Sequence, residues 1–292
     1  MEWMSGLLES FEFTWWQAGL ILVAGVWAGL INTIVGSGTL VTFPVLVTMG
    51  VPPVTATMSN AMGLIAGNLT GAWNYRAELR GLRGTLLKLL PCSIVGGAIG
   101  AGLLMVLPEE VFSYVAPALI VVALFFVVFQ PRLQGIVRQR KEAQAQEIAD
   151  AARAHGDEPA QLDPNSLPQP SILYVLVFIA GIYGGYFVAA QGVMLMAIFG
   201  VLLVGGTLVH ANAIKTWLSL AVNLVAATSY LLFAFDRIDW TAVLLIAASS
   251  MVGGLVGARI GRRISPTVLR IVIVVVGLAG LVSMVLRLVD GG

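Results

Sequence analysis

Charge is what this 292-residue sequence lacks most. Asp, Glu, Lys and Arg make up 11% of it, less than half the roughly 25% usual in a soluble domain. Hydrophobic residues make up 58%, and the mean hydropathy is +0.93. That deficit excludes a soluble globular protein and describes an all-α polytopic membrane protein with the lipid bilayer as its solvent. The net charge of +1 offers no basic surface, which argues against nucleic acid as a partner. A single cysteine, Cys92, excludes an intramolecular disulfide and any CxxC motif. Two histidines, His155 in a polar stretch and His210 near a membrane boundary, are too few and too far apart for a metal site, and no cofactor motif is present. The pattern GxxxxGK followed by Ser or Thr is missing, which argues against ATP-driven chemistry by this chain. No carboxylate pair or Cys/His dyad falls within the apolar segments, so the sequence does not read as an enzyme. The start, MEWMSGLLESFEF, lacks the basic n-region of a cleaved signal peptide, so the first apolar segment is expected to remain.

What is present is a series of apolar segments. Five come first, at about 15–35, 39–50, 53–75, 84–107 and 110–130, and five more follow at about 171–190, 193–204, 208–235, 240–258 and 266–287. Those near 20 residues suffice to cross a bilayer as helices, whereas the second and seventh, at roughly 12, do not. Each short segment follows a break, Gly36-Ser37-Gly38 in the first half and Gln191-Gly192 in the second. The reading is a broken-helix hairpin in each half, with its tip inside the protein because irregular backbone cannot face lipid. Three regions result: residues 1–130 as a first membrane repeat, 131–170 as a cytoplasmic polar linker, and 171–292 as a second membrane repeat.

The halves match each other. Ala24-Gly25 and Gly29 correspond to Ala180-Gly181 and Gly185, and Thr55 to Asn68 aligns without gaps on His210 to Asn223. Gly96-Gly97 and Gly100 correspond to Gly253-Gly254 and Gly257, and Pro108 and Pro266 open the last helix of each half. Basic clusters at Arg76–Lys88, Arg132–Lys141 and Arg259–Arg263, placed in the cytoplasm, satisfy the positive-inside rule and put both termini in the periplasm. Each half then crosses an odd number of times, so the repeats are inverted. That symmetry is common among transporters, whose substrate sites lie between repeats.

Within the eighth segment, Asn212, Lys215, Ser219 and Asn223 are three or four apart and form one polar stripe on a helix. If the segment enters the membrane near Leu208, Lys215 lies roughly 10 Å down it. A charge at that depth is a candidate for function, and a lysine offers a small anion a compact charge with three donors. The competing reading is a snorkelling lysine that reaches the headgroups. Asn60, aligned with Lys215, and Asn68, aligned with Asn223, are either site residues or interhelical hydrogen bonds. Asn32 with Gly36, Ser37 and Gly38 at one break, and Gln191 with Gly192 at the other, could present backbone N–H groups and side-chain donors to an anion. Gly63, Gly67 and Gly71 read as a packing face.

The stretch AGLINTIVGSGT that ends at Thr39, with the proline-containing apolar run after it, resembles the first-repeat signature of the sulfite exporter TauE/SafE family. ANAIKTWLSLAVN, which ends at Asn223, is similar to that family's second-half segment. The turn is reduced to Gly36-Ser37-Gly38, and Gln191 stands where the family usually has glycine. The resemblance implies a permease of the bacterial inner membrane that moves a small sulfur-containing anion such as sulfite or an organosulfonate. The reading is a secondary transporter coupled to protons; an anion channel on the same scaffold is the alternative.

Overall fold

The computed structural model describes residues 13–79, 81–155, 168–204, 206–260 and 265–290. The acidic residues Glu2, Glu9 and Glu12, Arg80, Arg262 and Arg263, and most of the Pro- and Asp-rich end of the linker lie outside them. All regular structure among the described residues is helical. In chain order the helices are α1 (Trp15–Ile34), α2 (Thr39–Thr48), α3 (Pro53–Asn74), α4 (Arg83–Val106), α5 (Glu109–His155), α6 (Ser171–Tyr186), α7 (Gln191–Leu202), α8 (Leu208–Phe233), α9 (Trp240–Ile260) and α10 (Pro266–Asp290). Prolines at the first turns of α3 and α10 supply a preset φ where no amide donor is needed. At the start of α8, Thr207 Oγ1 accepts the His210 amide at 3.2 Å, and the Thr207 amide donates to His210 Nδ1 at 3.3 Å. His210 thus belongs to a capping box.

Two boundaries depart from the sequence reading. The helix of the fifth apolar segment does not stop at Gln130; α5 continues through Pro131 to His155. Its second half is rich in Ala, Gln, Glu, Lys and Arg, all strong helix formers, so the helix outlasts its apolar stretch. The sixth segment ends early, at Tyr186 rather than 190, because Val188 adopts a φ of +67° that no α-helix accommodates. Among the described residues six helical stretches are long and apolar enough to cross a membrane: α1, α4, residues 109–132 of α5, α8, α9 and α10. The chain is therefore a multi-pass membrane protein. Helix α3 is long enough, but Thr57, Ser59, Asn60, Asn68 and Thr70 make it more polar, and α2, α6 and α7 are short.

Packing crosses between the halves. The first helix of each half lies along the fourth helix of the other, α1 on α9 and α6 on α4. Glycines make these seams. A Cβ on Gly29 would overlap the Ser250 carbonyl, one on Gly253 the Val26 carbonyl, one on Gly100 the Ile182 carbonyl and one on Gly185 the Gly97 carbonyl. With no hydrophobic effect between helices in lipid, backbone approach of this kind carries the association. Exchanging the halves leaves the larger contacts unchanged as a set: α2–α10 becomes α7–α5, α3–α9 becomes α8–α4, and α3–α8 and α5–α10 map onto themselves. Gly63 and Gly67 of α3 press on Ile246 and Ser250 of α9, as a packing face should. Outside, apolar side chains such as Val23, Leu87, Val121 and Val275 stand exposed, as a lipid-facing surface requires.

Candidate functional site

The two helix breaks meet. At the end of α1 the Ile31 carbonyl accepts the amides of Val35 at 2.7 Å and Gly36 at 2.9 Å, and Gly36 turns the chain with a φ of +96°, which glycine alone adopts without strain. Asn32 Oδ1 accepts the Gly38 amide at 2.6 Å, and its Nδ2 donates to Asn68 Oδ1 on α3 at 3.2 Å. In the second half the break spans Phe187–Ala190, and α7 restarts at Gln191. A Cβ on Gly36 would come 3.0 Å from the Gly192 Cα and 3.3 Å from Lys215 Nζ. The tips therefore touch, backbone to backbone, beside the ammonium.

A small cavity lies at this junction, in which the centre of a water-sized sphere can range over about 20 Å³. Its lining comprises Asn32, Gly36 and Asn68 from the first half and Val188, Gln191, Gly192, Lys215, Thr216, Ser219 and Asn223 from the second. Lys215 is 2% exposed. Its side chain is enclosed by protein and does not extend to the surface. Lys215 Nζ, both amide atoms of Gln191, both amide atoms of Asn223 and the Ser219 hydroxyl are buried without a hydrogen-bond partner. Buried polar groups are nearly always satisfied, so a cluster left open around one cation has the chemistry to take a polar, negative guest. The partly positive N-terminus of α7 adds to the same field.

Seven of the residues singled out from the sequence line this cavity: Lys215, Ser219, Asn223, Asn68, Asn32, Gly36 and Gln191. Four do not. Asn60 is fully buried, but it accepts from Thr42 Oγ1 and donates to Thr39 Oγ1 at 3.2 Å, so its amide ties α3 to α2. Asn212 is half-buried outside the lining, where its carbonyl accepts from Thr216 Oγ1 at 2.7 Å. Ser37 is buried with its hydroxyl unpartnered, away from the cavity wall, and Gly38 abuts the Ala28 carbonyl. Gly192, named from the sequence with Gln191 as the second break, lines the cavity too, and Val188 and Thr216 join unforeseen. The repeat alignment carried a signal for Val188, since the register of Ala24 on Ala180 sets it against Asn32, as it sets Gly192 against Gly36. Among the described residues no cluster of three or more His, Cys, Asp or Glu could hold a metal ion.

Comparison with known proteins agrees with this architecture. The profile of the family described as "Sulfite exporter TauE/SafE" matches residues 21–284. A probable membrane transporter protein of Sinorhizobium is 24% identical over 260 residues, covering 89% of this chain and 88% of its own length. One from Haemophilus influenzae is 25% identical over 257 residues, covering 88% of this chain and 89% of its own length. The probable membrane transporter protein YfcA of Escherichia coli is 25% identical over 247 residues, covering 84% and 80%. No solved structure matches the chain significantly.

Proposed function

The chain belongs to the sulfite exporter TauE/SafE family, and from that premise we propose that it is a secondary transporter of a small sulfur-containing anion, sulfite or an organosulfonate, coupled to protons. One observation carries the reading: an enclosed lysine without a partner, at the point where the broken helices of the two halves meet. The anion replaces the missing partner, taking hydrogen bonds from Lys215 Nζ and the amides of Gln191 and Asn223, with Ser219 and Thr216 beside them. Anions that share a desolvated ammonium gain charge-assisted hydrogen bonds, which are roughly twice as strong as neutral ones. When the anion leaves, an unpaired ammonium in a water-poor cavity is costly, so Lys215 gives up a proton with it. That exchange is the coupling.

Alternating access follows from the tips. With Gly36 against Gly192 the cavity is closed on the side they seal, and a small separation of the two hairpins opens it. In this reading residues 1–130 and 171–292 are inverted repeats in the inner membrane, 131–170 is cytoplasmic, and both termini are periplasmic. The rival reading is an anion channel on the same scaffold. Purified protein in liposomes tests the choice. With a pH gradient imposed, a carrier accumulates labelled sulfite above its external concentration, saturates, and stops when a protonophore collapses the gradient. Flux that only follows the anion's own electrochemical gradient supports the channel instead, and no sulfite or sulfonate flux at all contradicts both.

A further inference from the structure

The cavity's open polar groups are of two kinds, and only one kind suits a bare anion. Among the described residues Lys215 is the sole cation in the lining, and no carboxylate lines it. Gln191 and Asn223, each 1% exposed, present both an amide N–H₂ and an amide oxygen without partners. Exchanging nitrogen and oxygen in either amide leaves the count unchanged, one donor group and one acceptor from each. Resting on the anion-transport reading above, we propose that the guest is a monoanion that carries a hydrogen-bond donor of its own, and that Gln191 and Asn223 select for it.

Charge and hydrogen bonding point the same way. A single ammonium neutralises a single negative charge, whereas a dianion leaves one charge uncompensated in a buried site. An anion with acceptors only would satisfy the donors and leave the oxygens of Gln191 and Asn223 buried and unpaired, a desolvation cost that a proton on the guest removes. The first half contributes no such pair, because Asn32 and Asn68 bond to each other and Asn32 also holds the Gly38 amide. Selection therefore rests with the second half. Packing holds the Gln191 side chain in position, since its amide lies against Gly184, where a Cβ would come 2.6 Å from Nε2. The class that fits is a singly protonated sulfur oxyanion, or a sulfonate with a hydroxyl or ammonium group. Sulfate and thiosulfate, acceptor-only dianions, do not fit.

Equilibrium binding to the purified full chain tests this with four anions in near-isosteric pairs. Methanesulfonate against sulfate varies charge, and hydroxyethanesulfonate against propanesulfonate varies only the donor. Methanesulfonate is expected to bind more than about tenfold tighter than sulfate, and the hydroxyl to gain roughly threefold to tenfold. Gln191→Leu should erase the hydroxyl preference: propanesulfonate weakens roughly threefold, by the amide donor it loses, and hydroxyethanesulfonate weakens further, to the same affinity. Asn223→Ala repeats the test should the first variant fold poorly. Total sulfite joins the set at mildly acidic and mildly alkaline pH. Binding that tightens at acidic pH for sulfite and not for methanesulfonate, which does not titrate there and so reports on Lys215 alone, places the donor on the oxyanion itself; a hydroxyl preference with sulfite no more pH-dependent than methanesulfonate places it on the substrate's tail. Sulfate binding as tightly as methanesulfonate, or a hydroxyl that adds nothing, overturns the inference while leaving anion transport standing. No binding by any of the anions, or binding indifferent to Lys215→Ala, removes the underlying reading instead.

Discussion

Lys215 and Asn60 occupy equivalent positions in the two halves and meet different fates. The lysine is left open in a cavity, whereas the asparagine spans from α3 to the threonines of α2. A sequence alignment pairs the two residues, but it cannot say that Thr39 and Thr42, which the second half replaces with other residue types, would claim the amide. Asn60→Ala should therefore leave anion affinity within about twofold and lower stability by about 1–3 kcal/mol, the cost of stranding buried hydroxyls, visible as a fall in melting temperature of the detergent-solubilised protein. A tenfold loss of affinity at unchanged melting temperature would put Asn60 in the site after all. Lys215 itself was legible because a lone charge in an apolar run has few explanations. Val188 was legible only through the repeat register that sets it against Asn32, since a valine in an apolar stretch carries no signal of its own before its backbone is seen at a φ of +67°.

At the scale of elements, glycine placement and segment length announced the breaks, and the structure adds that the breaks touch. Gly38, which the sequence offered as part of the tip, packs inside its own turn against Ala28 and Asn32. Bulk there would distort the turn rather than block a pathway. Gly192 is the sharper probe, because its missing Cβ faces the Gly36 Cα, 2.8 Å from where that Cβ would stand. Gly192→Ala should hold the tips apart, at a cost of about 1–3 kcal/mol to the closed packing. Transport in liposomes is expected to fall about tenfold while far-UV circular dichroism stays as in the parent. Wild-type flux from that variant would separate the contact from the transport cycle. The length of α5 was hidden for a different reason: hydropathy marks where a helix leaves lipid, not where it ends, and a run of helix formers carries it on to His155.

For the whole molecule, internal repetition was readable and the pairing of its parts was not. The matched glycines of α1 and α6 and of α4 and α9 are equivalent in sequence, yet each lies against a helix of the other half. Alignment reports which residues are alike; only the fold reports which are neighbours. The two halves so joined form one cross-laced body around α3 and α8, and the cavity lies at their junction. Orientation is tested by single cysteines in a Cys92→Ser background. Thiols at Thr14 and Val289 should react with an impermeant reagent from the periplasm, and one at Ala143 only after the membrane is opened; the reverse pattern would invert the proposed topology. The central claim is that this junction binds the anion through Lys215. Its most direct test is the equilibrium affinity of the purified protein for methanesulfonate in the parent and in Lys215→Ala, Lys215→Arg and Lys215→Gln. A loss of about tenfold or more is predicted for the alanine and glutamine variants, from a charge-assisted hydrogen bond worth about 1.5–3 kcal/mol. Arginine, a planar fork in place of a compact ammonium, should restore affinity only in part. Equal affinity across all four proteins would contradict the claim.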